Sequence, residues 1–443
     1  MTSSTCGYCR RTGKGQSQKR RSYYARTNSM TAASYQALVD RNWRRSGTLL
    51  YKPNQRDACC PHYTLRLDSA RFRPTRDQRQ TINRFNRHIV GETYTREAAR
   101  RYPKTREEAR KRDSEFDLTQ RIHESEIQLL PTPPEPAHQF EVTLETDDFT
   151  EEKYGVFENY QRIVHKEPSA EISRSGFRRF LCDSPLRREN VKGPNGKTKA
   201  LGSYHQCYRL DGQLVAIGVL DLLPDSVSAV YFLYHESIHK WSPGKLGALR
   251  EIALALEGGY GYWYPGFYIH TCPKMRYKID YMPQELLNPD GMVWVDLSEE
   301  LLAKFDSRGY LDFSKEDSKN TDTTTRQEEA DNAFDIEYCK EDEGGSLETD
   351  GDDEDEDKDD DDGELSLLKS NMPGLPSAEK LASFDYNSIP VQLSMGQCSA
   401  GDLFDWGNED IMTDNGPKSQ IAQLVAVVGL DVMPSFCLDF RRS

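Results

Sequence analysis

At 443 residues the chain has room for two or three domains, yet its 36% hydrophobic content is low for a fully packed globule. No apolar run nears the roughly twenty residues of a membrane-spanning helix, and MTSSTCGYCRRTGKG lacks the apolar core of a secretory leader. A cytoplasmic or nuclear protein is the natural expectation, and in that setting the ten cysteines read as thiols or metal ligands rather than disulfides.

The formal net charge of −14 conceals a polarity. Residues 1–130 hold 28 Lys/Arg against 13 Asp/Glu, whereas residues 314–364 hold 5 against 24. A basic N-terminal third can attract phosphate whatever the overall pI. A solvated basic surface explains the same composition.

In chain order, residues 1–68 form a cysteine-rich module. Cys6-Gly-Tyr-Cys9 and Cys59-Cys60-Pro61-His62 flank a short helix over 31–41 and an extended segment over 47–52. A CxxC turn brings two thiolates to one metal, and a distant second pair can close a tetrahedral site. Adjacent Cys59 and Cys60 are unusual for zinc, and His62 is an alternative ligand. Tyr63 to Asp68 reads as a strand. Residues 69–130 are a basic helical segment, with a helix from Arg71 to Val90 and charged helical sequence from Tyr94 to Gln128 broken near Pro103. LPTPPEP, from Leu130 to Pro136, marks the clearest boundary, a stiff linker over 131–138.

Folded sequence resumes over 139–313, opening with the alternating strand Phe140-Val142-Leu144. A helix from about Thr150 follows, with Tyr154, Phe157, Tyr160 and Val164 on one face, most simply core. An antiparallel meander comes next: Tyr204 to Leu210, Gln213 to Leu222 and Val227 to Tyr234, with turn chemistry at Asp211-Gly212. A Ser-Pro-Gly loop then opens a helix from about Lys245 to Glu257, stopped by Gly258-Gly259. An aromatic strand runs from Trp263 to His270, then a strand over Met292 to Leu297 and a short helix over Ser298 to Phe305. Residues 314–370, peaking at DDEDEDKDDDD, read as a disordered acidic insertion. Residues 371–443 return to the folded core, through IPVQLSM, LFDW and IAQLVAVVGLDVMP.

Three strands, a loop opening a helix and a further strand form an α+β arrangement that resembles the core of GCN5-related N-acetyltransferases. HQCYRLDGQLVAIGVLDLLPDSVSAVYFLY, LGALREIALA and YPGFYIHTCPKMRYKIDYMP are more specific. They resemble the C-terminal domain of the arginyl-tRNA–protein transferases, and CGYC, WRRSGTLLYKP and CCPHYTLRLD resemble the N-terminal domain of the same family. The resemblance implies transfer of arginine from arginyl-tRNA to proteins beginning with Asp, Glu or oxidised Cys, marking them for ubiquitin-dependent degradation. It also implies that Cys6, Cys9, Cys59 and Cys60 hold zinc or an iron–sulfur cluster, both of which accept four thiolates.

Arginyl transfer needs an amine positioned against an already activated ester, a modest base, and oxyanion stabilisation. Asp221 ends the apolar strand Val215–Leu220 and is the first candidate to hold or relay the amine's proton; a strand-end acid capping a turn is the competing role. His205 and Gln206 on the neighbouring strand are secondary catalytic candidates. Lys245 and Arg250, in and after the loop, are candidates for the tRNA terminus, against ordinary surface cations. Recognition of an acidic acceptor needs cations or dense donors; Lys274, Arg276 and Lys278 with His270 and Tyr264 form the candidate cluster, with Arg66 added if the cysteine module folds over the cleft. Two rivals stand beside this reading. One is an acyl-CoA-dependent N-acetyltransferase, although the usual Gln/Arg-x-x-Gly-x-Gly/Ala loop is missing; the other is a non-catalytic, metal-dependent RNA-binding protein.

Overall fold

Apolar alternation builds the centre of the molecule. In the computed structural model, which describes residues 2–6, 8, 19–193, 196, 198–307, 309–313, 367–403, 406, 411 and 416–441, the meander comprises Thr198–Leu210, Gln213–Leu222 and Ser226–Tyr234. Asp211 and Gly212 both take positive φ, 52° and 80°, as a two-residue type I′ hairpin requires. Helix Pro243–Gly258 follows where expected and ends at Gly259 with φ 69°. It buries Leu249, Ile252, Ala253 and Ala255 and approaches so closely that a methyl group at Gly247 would collide with the Phe232 ring.

The aromatic strand expected from Trp263 to His270 is two strands, Tyr262–Tyr264 and Phe267–Tyr268. Pro265 lacks an N–H for a ladder and Gly266 turns at φ 88°. The continuous path of the large mixed sheet runs Val293–Asp296, Gln284–Asn288, Tyr63–Asp68, Tyr262–Tyr264, Ser226–Tyr234, Gln213–Leu222, Thr198–Leu210, Phe140–Thr146. Tyr63–Asp68, from the cysteine-rich end of the chain, therefore sits inside this sheet. It pairs antiparallel with Tyr262–Tyr264 on one side and Gln284–Asn288 on the other.

The N-terminal residues add a four-stranded sheet of Thr2–Thr5, Lys19–Arg26, Leu49–Pro53 and Arg44–Ser46, with helix Ala32–Val39 beside it. Helices Arg76–Arg101, Arg106–Ser114 and Leu118–Ile122 make up the basic segment. Arg76–Arg101 is two helical stretches that meet at a kink: Gly91, at φ 77° and ψ 162°, leaves the helical region just after the expected end at Val90. Thr75 with Gln78 and Thr105 with Glu108 form reciprocal caps at the first two helix starts. Helix Pro417–Val428 packs in the same core as the N-terminal helix and Pro243–Gly258. Its Val427 carbonyl accepts from Trp43 Nε1 at 3.1 Å and from buried Lys52 Nζ at 3.3 Å. Of the acidic insertion expected over 314–370, residues 314–366 lie outside the described residues, whereas 367–370 are ordered, with a short helical turn at Leu367–Lys369 whose Leu367 is buried.

An ion pair ties these parts together. Arg45 Nε and Nη2 grip Asp221 Oδ2 and Oδ1 at 2.8 and 2.7 Å, and Nη2 also donates to Ser203 Oγ at 3.0 Å. Both side chains are almost wholly buried. Removing one partner of such a pair leaves an uncompensated charge. Asp221→Asn should therefore lower the unfolding free energy by about 3–5 kcal/mol, checked by the shift of the urea midpoint. Glu251 is the opposite case. It is buried, Trp263 Nε1 donates to its Oε2 at 2.8 Å, and burial raises its pKa from 4.5 to about 7. A folded-state pKa above the unfolded one means stability present below 4.5 and lost as pH rises through 7. Glu251→Gln should match the parent's pH trend below pH 4.5 and gain on it between pH 5 and 8, read from urea midpoints across that range.

Candidate functional site

The N-terminal strand delivers Cys6, and the turn before Tyr63–Asp68 delivers Cys59 and Cys60. Their sulfurs lie within 4.8 Å of one another, with Cys6 and Cys60 buried and Cys59 half-buried. Cys9 lies outside the described residues. Phe267, Ile269 and Cys272 pack against Cys6 and Cys60, and Thr271 Oγ1 donates to Cys60 Sγ at 3.0 Å. Hydrogen bonding with Cys6, then burial, pushes the Cys60 thiol pKa up. Three convergent soft donors in an apolar wall suit a thiophilic cation, which would compensate thiolates the protein alone leaves exposed to one another. His62 turns its ring between Tyr8 and Phe267, at 5.1 and 5.3 Å centroid distance, and is not among the converging donors.

The same strand leads from this centre to the place where two strands of the sheet part. Ser226–Tyr234 and Tyr262–Tyr264 pair in parallel at only three positions, Ser226 with Tyr262 through Ser228 with Tyr264. Phe267–Tyr268 then leaves to join Tyr63 and Thr64. From Ala229 onward Ser226–Tyr234 keeps its Gln213–Leu222 partner, with an irregularity between Ala229 and Tyr231. The two strands thus splay. A side chain beginning at Gly266 would start 3.5 Å from Lys278 Nζ and 3.9 Å from the Ala229 carbonyl oxygen, which puts Lys278 at the mouth of the splay. Lys278 is buried, donates to the Phe267 carbonyl at 2.9 Å, and has its pKa lowered to about 8 by burial and then by Arg44.

The expected acceptor cluster is partly assembled. Tyr264 is buried and donates to Asp40 Oδ1 at 2.7 Å. Arg66 lies between the Tyr262 and Trp294 rings, 4.1 and 4.0 Å from their centroids, and donates to Glu285 Oε2 at 2.6 Å. His270 and Arg276 belong to a separate, shallow cavity of about 310 Å³. There His270 Nδ1 meets Tyr268 Oη at 2.7 Å and Nε2 meets Asp306 at 2.8 Å, while Arg276 Nε donates to the His270 carbonyl at 3.1 Å. The Lys274 side chain lies outside the described residues.

The catalytic candidates sit in the interior. Asp221 is held by Arg45. His205 Nε2 meets the Leu181 carbonyl at 2.9 Å, and burial lowers its pKa to about 4, so it stays neutral near pH 7. Gln206 Oε1 accepts from Tyr208 Oη at 2.6 Å. Of the tRNA candidates, Lys245 pairs with Asp77 at the surface. Arg250 is buried against Glu126 and the Ile122 carbonyl.

Sequence reasoning passed over Arg44. It lies on the strand Arg44–Ser46, is 6% exposed, and sets its guanidinium 4.9 Å from the Phe267 ring centroid. WRRSG shows two adjacent arginines, and strand alternation sends them to different neighbours. That was the available signal.

Comparison with known proteins agrees with this layout. The N-terminus model of the arginine-tRNA-protein transferases matches residues 4–80 and the C-terminus model matches residues 152–288. The arginyl-tRNA–protein transferase 1 of Saccharomyces cerevisiae is 33% identical over 267 residues, covering 57% of this chain and 48% of the yeast protein. That of Drosophila melanogaster is 26% identical, covering 69% of this chain and 83% of its own length. An aspartate/glutamate leucyltransferase of Pseudomonas fluorescens is 28% identical, covering 60% and 83%. This chain therefore spans about half the length of the yeast relative and most of the other two. With both family segments in order, and the strand Tyr63–Asp68 of the first built into the sheet of the second, the chain belongs to the arginyl-tRNA–protein transferase family.

Proposed function

We propose that this enzyme moves arginine from arginyl-tRNA to the α-amino group of proteins beginning with Asp, Glu or oxidised Cys. The splay between Ser226–Tyr234 and Tyr262–Tyr264 carries the reading. The ladder between these two strands ends at Ser228, while Ser226–Tyr234 keeps its Gln213–Leu222 partner; an extended substrate held along this edge, as in a GCN5-related N-acetyltransferase-like core, would lie beside Lys278. The name of the bacterial relative, which acts on aspartate and glutamate, supports the acidic acceptor.

The chemistry asks little of a side-chain base. An α-amine of pKa about 7.7–8.0 has a usable neutral fraction near pH 7, and buried cations beside it lower that pKa further and increase the nucleophile. The amine attacks the ester carbonyl, the oxyanion forms beside the same cations, and the ribose oxygen leaves with a proton. Held substrates supply the remaining advantage. Asp221 acts through Arg45 as a positioning residue, and His205 and Gln206 support the adjoining strands. Lys245 lies near the tRNA terminus, with the exposed Arg76, Arg84, Arg87, Arg96 and Arg100 of the long helix offering a phosphate-binding face. Arg250 instead fastens the end of Leu118–Ile122 from within.

Cys6, Cys59 and Cys60, with Cys9 as the fourth donor, would hold zinc or an iron–sulfur cluster, whose chemistry here is to neutralise thiolates and cross-link distant chain. The cross-link anchors the entry to Tyr63–Asp68. The enzyme works in the cytoplasm or nucleus.

Labelled arginine supplied on charged tRNA should appear on a peptide beginning with Asp and not on the same peptide beginning with Ala. Labelling of neither by metal-loaded protein would sink the proposal, and coenzyme A binding would then test the acetyltransferase alternative. Cys59→Ser should lose bound metal and melt the N-terminal module at lower temperature; full metal content by elemental analysis would remove Cys59 from the ligand set.

A further inference from the structure

Arg44 and Arg45 are neighbours, both buried, and opposite in partnership. Arg45 closes its Nε–Nη2 edge on the two oxygens of Asp221. The same edge of Arg44 meets nothing: among the described residues neither Nε nor Nη2 has a hydrogen-bond partner, and both are shut off from bulk solvent. Only Nη1 is engaged, by the Trp43 carbonyl at 2.7 Å and the Val39 carbonyl at 3.3 Å. Buried charged donors left unmet are costly, so a fold that keeps two of them side by side has reason to expect an acceptor there.

Lys278 sharpens the point. It reaches the Phe267 carbonyl while Arg44 lies over the Phe267 ring, so two buried cations flank one residue. Burial first, and then the field of Arg44, lower the pKa of Lys278. Among the described residues no carboxylate forms an ion pair with either. The nearby acid Asp40 accepts from Tyr264. Such a pair is complete only with an anion between or beside it.

Resting on the acceptor reading above, we infer that the Nε–Nη2 edge of Arg44, with Lys278 beside it, is the subsite that binds the acidic side chain of the acceptor's first residue. The edge matches two oxygens carried on one atom of an anion. Asp and Glu supply them as carboxylates and oxidised Cys as a sulfinate or sulfonate. Asn and Gln would turn an NH₂ group toward donors, which is the kind of mismatch that gives strong discrimination. A tRNA phosphate is also an anion, but it is flanked by sugars on both sides. A chain-terminal side chain can approach a buried guanidinium edge end-on.

The test uses the full, metal-loaded chain with arginyl-tRNA and two peptides identical except for a first residue of Asp or Asn. The ratio of kcat/KM for the two is internal to each preparation, so a partly folded variant does not distort it. Arg44→Gln should reduce the Asp-over-Asn ratio by about 10–100-fold, mostly through KM for the Asp peptide. Arg44→Lys, which keeps the charge and loses the fork, should fall between, and Lys278→Met should lower the ratio too. An unchanged ratio in Arg44→Gln overturns the inference. So does an unchanged ratio accompanied by a raised KM for arginyl-tRNA, which would make the site a phosphate pocket. If the parent labels no peptide at all, the transfer reading itself fails. Calorimetric titration of the same peptides without tRNA then decides the subsite: Arg44-dependent preference for Asp supports it, and equal binding overturns it.

Discussion

A six-residue strand holds this protein together. Tyr63–Asp68 belongs by sequence to the cysteine-rich end of the chain, yet it fills the position between Tyr262–Tyr264 and Gln284–Asn288 in the large sheet. Without it the ladder hydrogen bonds along both neighbours would be unmet, and a sheet interior leaves no water to replace them. Its side chains also join separate packing groups: Tyr63 and Leu65 lie in one core and Leu67 in another. The cysteine centre, which opens directly into this strand, is thereby coupled to the place where two strands of the sheet part.

Charge is distributed with the same economy. Arg45–Asp221 is a complete pair inside the sheet, and Arg250–Glu126 a complete pair behind the helix. Both fasten elements far apart in sequence, and burial makes each dependent on its partner. Arg66 is stacked between two rings and paired with Glu285. Lys278, like buried Lys52, bonds to a backbone carbonyl; Arg44 differs from the paired arginines because its hydrogen bonds go to backbone carbonyls and its buried Nε and Nη2 have no hydrogen-bond partner among the described residues. The contrast between Arg44 and Arg45 separates a structural arginine from one that still has binding capacity.

Much of the fold was legible because it rests on local signals. The Asp211-Gly212 hairpin, the helix bounded by Ser242-Pro243 and Gly259, and the helix break near Pro103 all follow from backbone preference. The meander followed from alternation, and its residues occupy the expected strands. Where the reading slipped, the cause was also local: Pro265-Gly266 divides a run that aromatic content alone reads as one strand. Site residues were harder, since a charge in sequence does not declare its partner. Asp221 was conspicuous as an acid ending an apolar strand, and nothing local says that Arg45, 176 residues away, fills it.

The sequence by itself determined the family, through its two sets of motifs, and the cysteines that could converge on a metal. It also determined the local elements, because turn and cap preferences act within a few residues. Tertiary structure alone decided that Tyr63–Asp68 enters the central sheet, that Arg250 and Asp221 are internal counter-ions, and that Arg44 faces Lys278 across Phe267. Those outcomes depend on strand pairing and burial between residues distant in the chain. Such long-range contacts set which charges lose water and which find partners.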